Sequence, residues 1–216
     1  KFLTELTTYC EHCLNLLYPS QDRFYSCQQC PNGFGVCMKC VNLMKTEHAP
    51  QHSFNKGNYS VDESMLIHYI TTCNGCKAEK FKGIRYHCDE CREGYDLCES
   101  CYQNASQLHP NHAFKIAPAP LLKFKNYILL AKRAIEVCKR FPDLQYDPLT
   151  GYSLKDAEQV KEKEEKNLTF YRQQIEQLAI AVAKGRQQLL DARRARTQDI
   201  LSRLNPQYHV MQMRPF

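Results

Sequence analysis

The 216-residue sequence has no run of about 18 apolar residues, so no segment is predicted to cross a bilayer as a helix. It also lacks a charged start that leads into an apolar run and a cleavage site. We therefore expect no secretory signal, although a targeting peptide removed earlier would leave no trace. Neither a glycine-rich phosphate-binding pattern nor a Ser/His/Asp arrangement is present. These absences argue against a membrane-spanning protein and against the common forms of enzyme chemistry.

Cysteine, by contrast, is abundant, and 12 of the 13 cysteines form six Cys-x2-Cys pairs. Two cysteines three positions apart on a tight turn suit one tetrahedral ion better than a disulfide framework. Disulfides would also require an oxidising compartment and would leave four regularly spaced histidines unexplained. The pattern therefore predicts zinc sites. The thirteenth cysteine, Cys138, falls in an apolar helical pattern and is predicted to be a small core residue.

Two segments, Cys10–His52 and Cys73–His112, carry the same order of metal ligands. Each has three Cys-x2-Cys pairs followed by a histidine pair, and the inner gaps of six and seven residues are the same in both. An aromatic residue also stands three positions before the fifth cysteine in each, Phe34 in the first and Tyr95 in the second. This is an internal duplication. Modules of this size bury too little core to fold alone, whereas a structural zinc ion supplies about 10–16 kcal/mol.

The second half of the sequence is helical in pattern. Pro120 is well placed to begin a helix over residues 121–140, and a Phe-Pro pair stops it. Ser153 and Asp156 form a capping box for a second helix, which runs to about Leu204 and is roughly 75 Å long. An Asn-Pro pair ends that helix before a short amphipathic tail. The predicted domains are residues 1–56 (first zinc module), 57–72 (linker), 73–117 (second zinc module), 118–150 (amphipathic helix and loop) and 151–216 (long helix with a coiled-coil segment, then tail).

Part of the long helix has a seven-residue apolar repeat, at Leu168, Ile175, Val182 and Leu189. Three heptads of this kind predict a coiled-coil-like helix that lies on a partner, either within this chain or in another. The linker between the zinc modules begins polar and becomes apolar, which predicts a strand or short helix leading into Cys73.

Charge is unevenly distributed along the sequence. Residues 1–114 carry 10 Lys/Arg and 12 Asp/Glu, a net charge of −2, whereas residues 115–216 carry 19 and 11, a net charge of +8. Zinc bound to thiolates makes the first half more negative still, about −6. Zinc modules of this charge are poorly suited to nucleic acid. The basic helical half is expected to contact acidic protein or another anionic surface.

The second ligand segment resembles a ZZ-type zinc finger. The likeness rests on the order of the ligand pairs, on Arg85–Tyr86 before the third cysteine and on the string Tyr95–Cys98, which reads Tyr-Asp-Leu-Cys. The first segment resembles a divergent copy, with Phe34–Cys37 in place of that string. The resemblance covers about half of the chain and implies two small zinc-stabilised α+β modules of the cross-brace type. An all-α region with one long helix is expected to follow them.

A cross-brace interleaves the ligands of its two ions, whereas spacing alone would also allow sequential pairing. The resemblance implies four zinc ions per chain, two in each module. The implied ligand sets are Cys10, Cys13, Cys37 and Cys40; Cys27, Cys30, His48 and His52; Cys73, Cys76, Cys98 and Cys101; and Cys88, Cys91, His109 and His112.

Four protein ligands on each ion leave no position for water or substrate, which favours structural zinc and a protein that is not an enzyme. We expect a structural or adaptor subunit that contacts other chains of a larger assembly. One alternative is a reader of peptide N-termini, such as a degradation signal or a histone tail. ZZ modules with that activity use an acidic pocket, for which the candidates here are Asn74, Glu93 and Asp96. That pocket is incomplete, because Asn74 and Gly94 stand at two of the acidic positions.

A second alternative is an accessory part of a ubiquitin ligase. RING-type ligases also use a cross-brace, but their histidine lies inside the ligand series rather than at its end. The twelve paired thiols imply a reducing intracellular compartment, either cytoplasm or nucleus. The mitochondrial matrix side is a further expectation if a targeting peptide was removed.

Overall fold

A computed structural model describes residues 7–18, 20–30, 33–49, 51–57 and 62–204. By its internal contacts the chain divides into two compact units, Lys1–Tyr171 and Arg172–Phe216. The predicted Asn-Pro helix stop and the amphipathic tail after it lie outside the described residues.

The first zinc module consists of short strands and one helix. Its three-stranded antiparallel sheet has the order β4-β3-β5, and a separate two-stranded ladder joins β1 to β2. Its core combines ligand cysteines with apolar side chains, among which Val36 is fully buried and Leu17, Val41 and Met44 nearly so. The elements are β1 (Thr8–Tyr9), β2 (Leu16–Leu17), β3 (Phe24–Cys27), β4 (Gly35–Cys37), α1 (Val41–Glu47) and β5 (Phe54–Lys56).

The second zinc module repeats this sheet. Its strand order is β10-β8-β9, and the strand that carries the third cysteine lies in the centre, as in the first module. Part of the predicted linker is a strand, β6, which pairs with β7 and follows the 3-10 helix Glu63–Leu66. The elements are β6 (Ile67–His68), β7 (Phe81–Lys82), β8 (Arg85–Cys88), β9 (Tyr95–Cys98), α2 (Glu99–Tyr102), α3 (Ala105–Leu108) and β10 (Lys115–Ala117).

Helix α4 (Pro120–Arg140) joins the two modules. Its first turn contains Pro120, as predicted, and the helix contacts β1 of the first module and both the 3-10 helix and β6 of the second. The fully buried Asn126 accepts a hydrogen bond at Oδ1 from the backbone N–H of Thr7, at 3.1 Å. Cys138 lies on the buried side of the helix, in agreement with its predicted core position.

Helix α5 (Leu154–Leu204) is 51 residues long. The predicted capping box is present: Ser153 Oγ accepts from the Asp156 N–H at 3.2 Å, and the Asp156 carboxylate accepts from the Ser153 N–H at 3.3 Å. Tyr171 is buried and meets the ring of Phe124 on α4 edge-on, with centroids 6.0 Å apart. Tyr171, three residues after the repeat position Leu168, thus packs against α4 within this chain, and the coiled coil beyond it stays a prediction.

The architecture confirms the predicted fold class, in which small modules with Cys/His clusters are followed by a long helix. None of the described helices combines the length and the apolar composition that a bilayer span requires.

A buried ion pair fastens α4 to the first module and to the loop that follows α4. The Arg133 Nη1 donates to both carboxylate oxygens of Asp147, at 2.6 and 2.7 Å, and its Nε donates to the carbonyl of Leu14 at 2.5 Å. Asp147 is fully buried. Burial raises its pKa, but hydrogen bonds from Thr150 and Arg133 outweigh that effect, so the pKa of Asp147 lies below its usual value. The pair therefore links three segments that are distant in sequence.

We expect the substitution Asp147→Asn to lower the free energy of unfolding by about 3 kcal/mol, because it leaves the Arg133 charge buried without a counterion. Removing the charge as well, in Arg133→Met with Asp147→Asn, should restore part of that loss, because the new side-chain amide can still accept the hydrogen bond from Thr150. Urea unfolding at a fixed zinc concentration, followed by far-ultraviolet circular dichroism, measures both effects. Asp143→Asn, in the exposed part of the same loop, is the control, and an equal loss there would contradict a special role for the pair.

Candidate metal centres

The structure brings the predicted ligands together in four clusters whose members are those implied by the cross-brace. Within each cluster, one ligand atom from every side chain lies within 4.8 Å of the other three. The sets interleave, since the first and third cysteine pairs of a module form one cluster and the second pair joins the histidines in the other. The clusters are Cys10, Cys13, Cys37 and Cys40; Cys27, Cys30, His48 and His52; Cys73, Cys76, Cys98 and Cys101; and Cys88, Cys91, His109 and His112.

The distances between ligand atoms fit a tetrahedral zinc ion. Zn–S bonds of about 2.3 Å and Zn–N bonds of about 2.0–2.1 Å give tetrahedron edges of about 3.8 Å between sulfurs and about 3.5 Å between sulfur and nitrogen. The sulfurs of Cys13 and Cys37 are 3.9 Å apart, and those of Cys76 and Cys98 are 4.0 Å apart. In the mixed clusters, the sulfur-to-nitrogen distances run from 3.2 to 3.5 Å.

The cysteines of these clusters are free thiols, and the sulfur separations are nearly twice the length of a disulfide bond. Backbone N–H groups point at some of the sulfurs, as a metal-bound thiolate requires. The N–H of Cys98 donates to the Cys73 sulfur at 3.3 Å, and the N–H of Cys13 lies 3.5 Å from the Cys10 sulfur. Burial raises the pKa of Cys73, but backbone hydrogen bonds from Cys98, Cys76 and Gly75 prevail and lower it to about 6. The fold thus favours the thiolate form at Cys73.

An aromatic ring supports the first histidine of each pair. Phe34 stacks on His48 with centroids 4.7 Å apart, and Tyr95 stacks on His109 with centroids 4.1 Å apart. In each module a phenylalanine two residues after the last histidine meets both rings edge-on or tilted. In both modules, too, the first histidine turns Nε2 and the second turns Nδ1 toward the cluster. This packing explains why an aromatic residue recurs three positions before the fifth cysteine.

In each module, the residue after the first cysteine forms two hydrogen bonds to the strand that carries the fifth cysteine, one through its backbone and one through its side chain. In the second module, the Asn74 N–H donates to the carbonyl of Asp96 at 2.7 Å, and the Asp96 N–H donates to Asn74 Oδ1 at 2.8 Å. In the first module, Glu11 makes the same two contacts with Gly35, at 2.9 and 3.0 Å. Burial raises the pKa of Glu11. At both positions the side chain therefore stabilises the module itself, by joining the first Cys-x2-Cys turn to a strand of the sheet.

The Asp96 carboxylate, a candidate for peptide binding, already has partners within the chain. His87 Nδ1 lies 2.8 Å from one carboxylate oxygen and the Arg85 guanidinium 3.6 Å from the other, and the Asp96 side chain is 18% exposed. Asn74 lies next to Asp96, as described above, whereas Glu93 is exposed. Sequence reasoning missed the roles of Arg85 and His87. Their alternation on a strand places both on one face, and this was the signal that could have linked them to Asp96.

Comparison with known proteins agrees with this geometry. The family model described as "Zinc finger, ZZ type" matches residues 67–113, a range that begins with the β6 strand of the second module. No solved structure matches the chain significantly.

Three curated proteins resemble parts of the chain. The E3 ubiquitin-protein ligase PRT1 of Arabidopsis thaliana is 26% identical in an alignment 171 residues long that includes 56% of this chain and 42% of that protein. A probable E3 ubiquitin-protein ligase of Dictyostelium discoideum is 37% identical over 62 residues, 28% of this chain and 1% of that protein. The histone acetyltransferase HAC12 of Arabidopsis thaliana is 29% identical over 76 residues, 35% of this chain and 4% of that protein.

The chain thus spans less than half the length of each of these relatives. What it shares with known families is the zinc-binding part. Residues 67–113 are a ZZ-type zinc finger, and the four Cys/His clusters are consistent with tandem zinc fingers.

Proposed function

We propose that this chain is a non-catalytic zinc-binding adaptor that holds other protein chains together in a larger assembly. The observation that carries the proposal is ligand saturation: each of the four clusters contains four protein side chains. A tetrahedral ion in such a cluster has no open coordination position, so its role is to hold the module in shape. What each module then offers to a partner is the surface of a small sheet. ZZ-type modules serve protein binding, and the proposal extends that use to this chain.

Four zinc ions per chain, two in each module, are part of the proposal. Metal analysis of the purified chain should return a zinc-to-protein ratio of about four. Because each cross-brace ion ties together segments that the other ion also constrains, Cys101→Ser should lower the ratio to about two rather than three. The thirteenth cysteine is the matched control, and Cys138→Ser should leave the ratio at four. A ratio of two or less in the unaltered chain would contradict the proposal of two loaded modules.

The adaptor function can be tested by crosslinking mass spectrometry in cells. Crosslinks from the exposed lysines of the second module, Lys82 and Lys115, to a defined partner chain are expected. They should disappear in the Cys101→Ser variant, since loss of zinc unfolds the surface that the partner contacts. Crosslinks that persist unchanged in this variant would show that the zinc module is not the docking surface.

The names of two relatives suggest what kind of assembly this is. Both are called E3 ubiquitin-protein ligases, and we propose that the chain is an accessory part of a ubiquitin-ligase assembly. An accessory chain should not by itself speed the discharge of ubiquitin from a charged conjugating enzyme. Discharge that the purified chain accelerates, and that Cys101→Ser abolishes, would overturn the non-catalytic role. The twelve paired thiols favour a reducing compartment for this assembly.

A second candidate function is recognition of peptide N-termini by the second module. The observation in its favour is a partly exposed carboxylate, Asp96, on a sheet strand, since a carboxylate can pair with an α-ammonium group. A bound peptide would have to replace His87 at this carboxylate. The backbone of Asp96 is also already paired with Asn74, so the peptide could not extend the sheet at that residue.

This second function predicts that peptides with a free N-terminus bind the chain at least about tenfold more tightly than their acetylated forms, because acetylation removes the charge. Fluorescence anisotropy with paired free and acetylated peptides measures the difference. Asp96→Asn should abolish it, whereas Asp89→Asn, which keeps the Asp96 carboxylate, should not. Equal binding of free and acetylated peptides would exclude this function.

A further inference from the structure

Apolar and arginine side chains share one face of α5 in the second unit. Seven residues follow one another at spacings of three and four, so they lie along one side of the helix. All seven are exposed, and Leu189 is 67% exposed. We call this set the mixed stripe. Its members are Leu178, Val182, Arg186, Leu189, Arg193, Arg196 and Ile200.

The arginines of the mixed stripe have no counterion on their own helix. Among the described residues, no carboxylate lies within 4.0 Å of the Arg186, Arg193 or Arg196 guanidinium. The two aspartates in this part of the helix instead pair with other arginines, Asp191 with Arg194 at 4.0 Å and Asp199 with Arg203 at 3.0 Å. Residues 172–204 carry seven Lys/Arg and three Asp/Glu, a net charge of +4. A surface that covers the stripe must therefore offer both apolar contacts and carboxylates.

We propose that the mixed stripe binds an acidic amphipathic helix of another protein, whose apolar residues meet the four apolar residues of the stripe and whose carboxylates pair with its three arginines. This inference rests on the proposed adaptor function and names one of its docking surfaces. The chemistry of the stripe favours this occupant over three others.

A second copy of this chain is a poor match, because its own stripe would bring arginines against arginines and no carboxylate. RNA is poorly matched because the stripe contains no aromatic side chain on which a base could stack. A helix that lies on a membrane surface buries an apolar face about 100° wide or wider. At about 100° per residue, the four apolar residues of the stripe fall within only about 40° of the helix circumference, and Arg186 and Arg193 lie directly beside them. An acidic amphipathic helix offers both apolar side chains and carboxylates, which are the two kinds of group that the stripe requires of a partner.

The test uses the full zinc-loaded chain and two synthetic 28-residue peptides with leucine at heptad positions a and d. One carries glutamate at positions e and g and the other carries lysine there. In fluorescence anisotropy, the glutamate peptide should bind at least about tenfold more tightly than the lysine peptide, and its affinity should fall as salt is added. Equal affinity for both peptides would overturn the proposal.

Two variants with the same net charge locate the surface. The triple variant R186E/R193E/R196E should weaken binding of the glutamate peptide about tenfold, since three exposed ion pairs each contribute a factor of about two to three. The control R172E/K184E/R194E changes exposed cations that lie outside the stripe and should alter the affinity less than about twofold. Equal losses of affinity in the two variants would show that the peptide is attracted to net charge alone, and would contradict binding at the stripe.

An apolar variant, Val182→Ser with Leu189→Ser, should also weaken binding of the glutamate peptide. Circular dichroism should show that α5 remains helical in every variant.

Three other results would assign the stripe to another occupant and overturn the proposal. They are self-association in sedimentation that the stripe triple variant abolishes, and binding only to phosphatidylserine vesicles or only to poly(U). Because the stripe variants leave the zinc ligands intact, the zinc-module crosslinks described above should persist in them. These results therefore distinguish a failure of the stripe proposal from a failure of the proposed adaptor function.

Discussion

The fold depends on metal ligation between segments that are distant in sequence. Cys13 and Cys37 stand 24 residues apart, yet their sulfurs lie 3.9 Å from each other. Closing several such loops costs chain entropy, which a core built around a few residues such as Leu17, Val36 and Met44 cannot offset alone. Four ligands that converge on one ion would supply the missing free energy, and two ions in each module, as proposed, would constrain the same short strands twice. Sheet register, aromatic stacking and the backbone contacts of Asn74 and Glu11 are all arranged around that ligation.

The two modules are connected by ordinary protein packing rather than by metal. Helix α4 contacts strands of both, and its two buried polar side chains, Asn126 and Arg133, each bond to the segment of the first module that leads into or follows its first cysteines. A buried polar group must find its partner, so these contacts define one position of the helix where apolar contacts alone would allow several. Metal ligation thus acts within each module, and α4 sets how the modules lie against each other.

The elements with local chemical signals were predictable from the sequence. Ligand spacing marked both modules, Pro120 marked the start of α4, and the Ser153–Asp156 pair marked the start of α5. The grouping of ligands into interleaved clusters needed the family resemblance, because spacing admits either pairing. The contact of Arg133 with Asp147 depends on helix docking, which no local pattern encodes. Strand alternation places Arg85 and His87 on one face, but it does not give the register that brings them to Asp96. For that reason the Asp96 carboxylate looked more available in the sequence than it is in the structure.

The zinc modules and the second unit therefore present different kinds of surface. In the modules, the polar groups that looked available for binding at Asn74 and Asp96 are engaged within the fold, so a ligand there must displace existing contacts. Along α5 beyond Tyr171, both apolar groups and arginines are exposed, and covering them displaces only water. Binding to such a surface gains apolar burial and ion pairing without the cost of breaking internal bonds. On physical grounds, the helix is better prepared than the zinc-finger pocket to receive a partner.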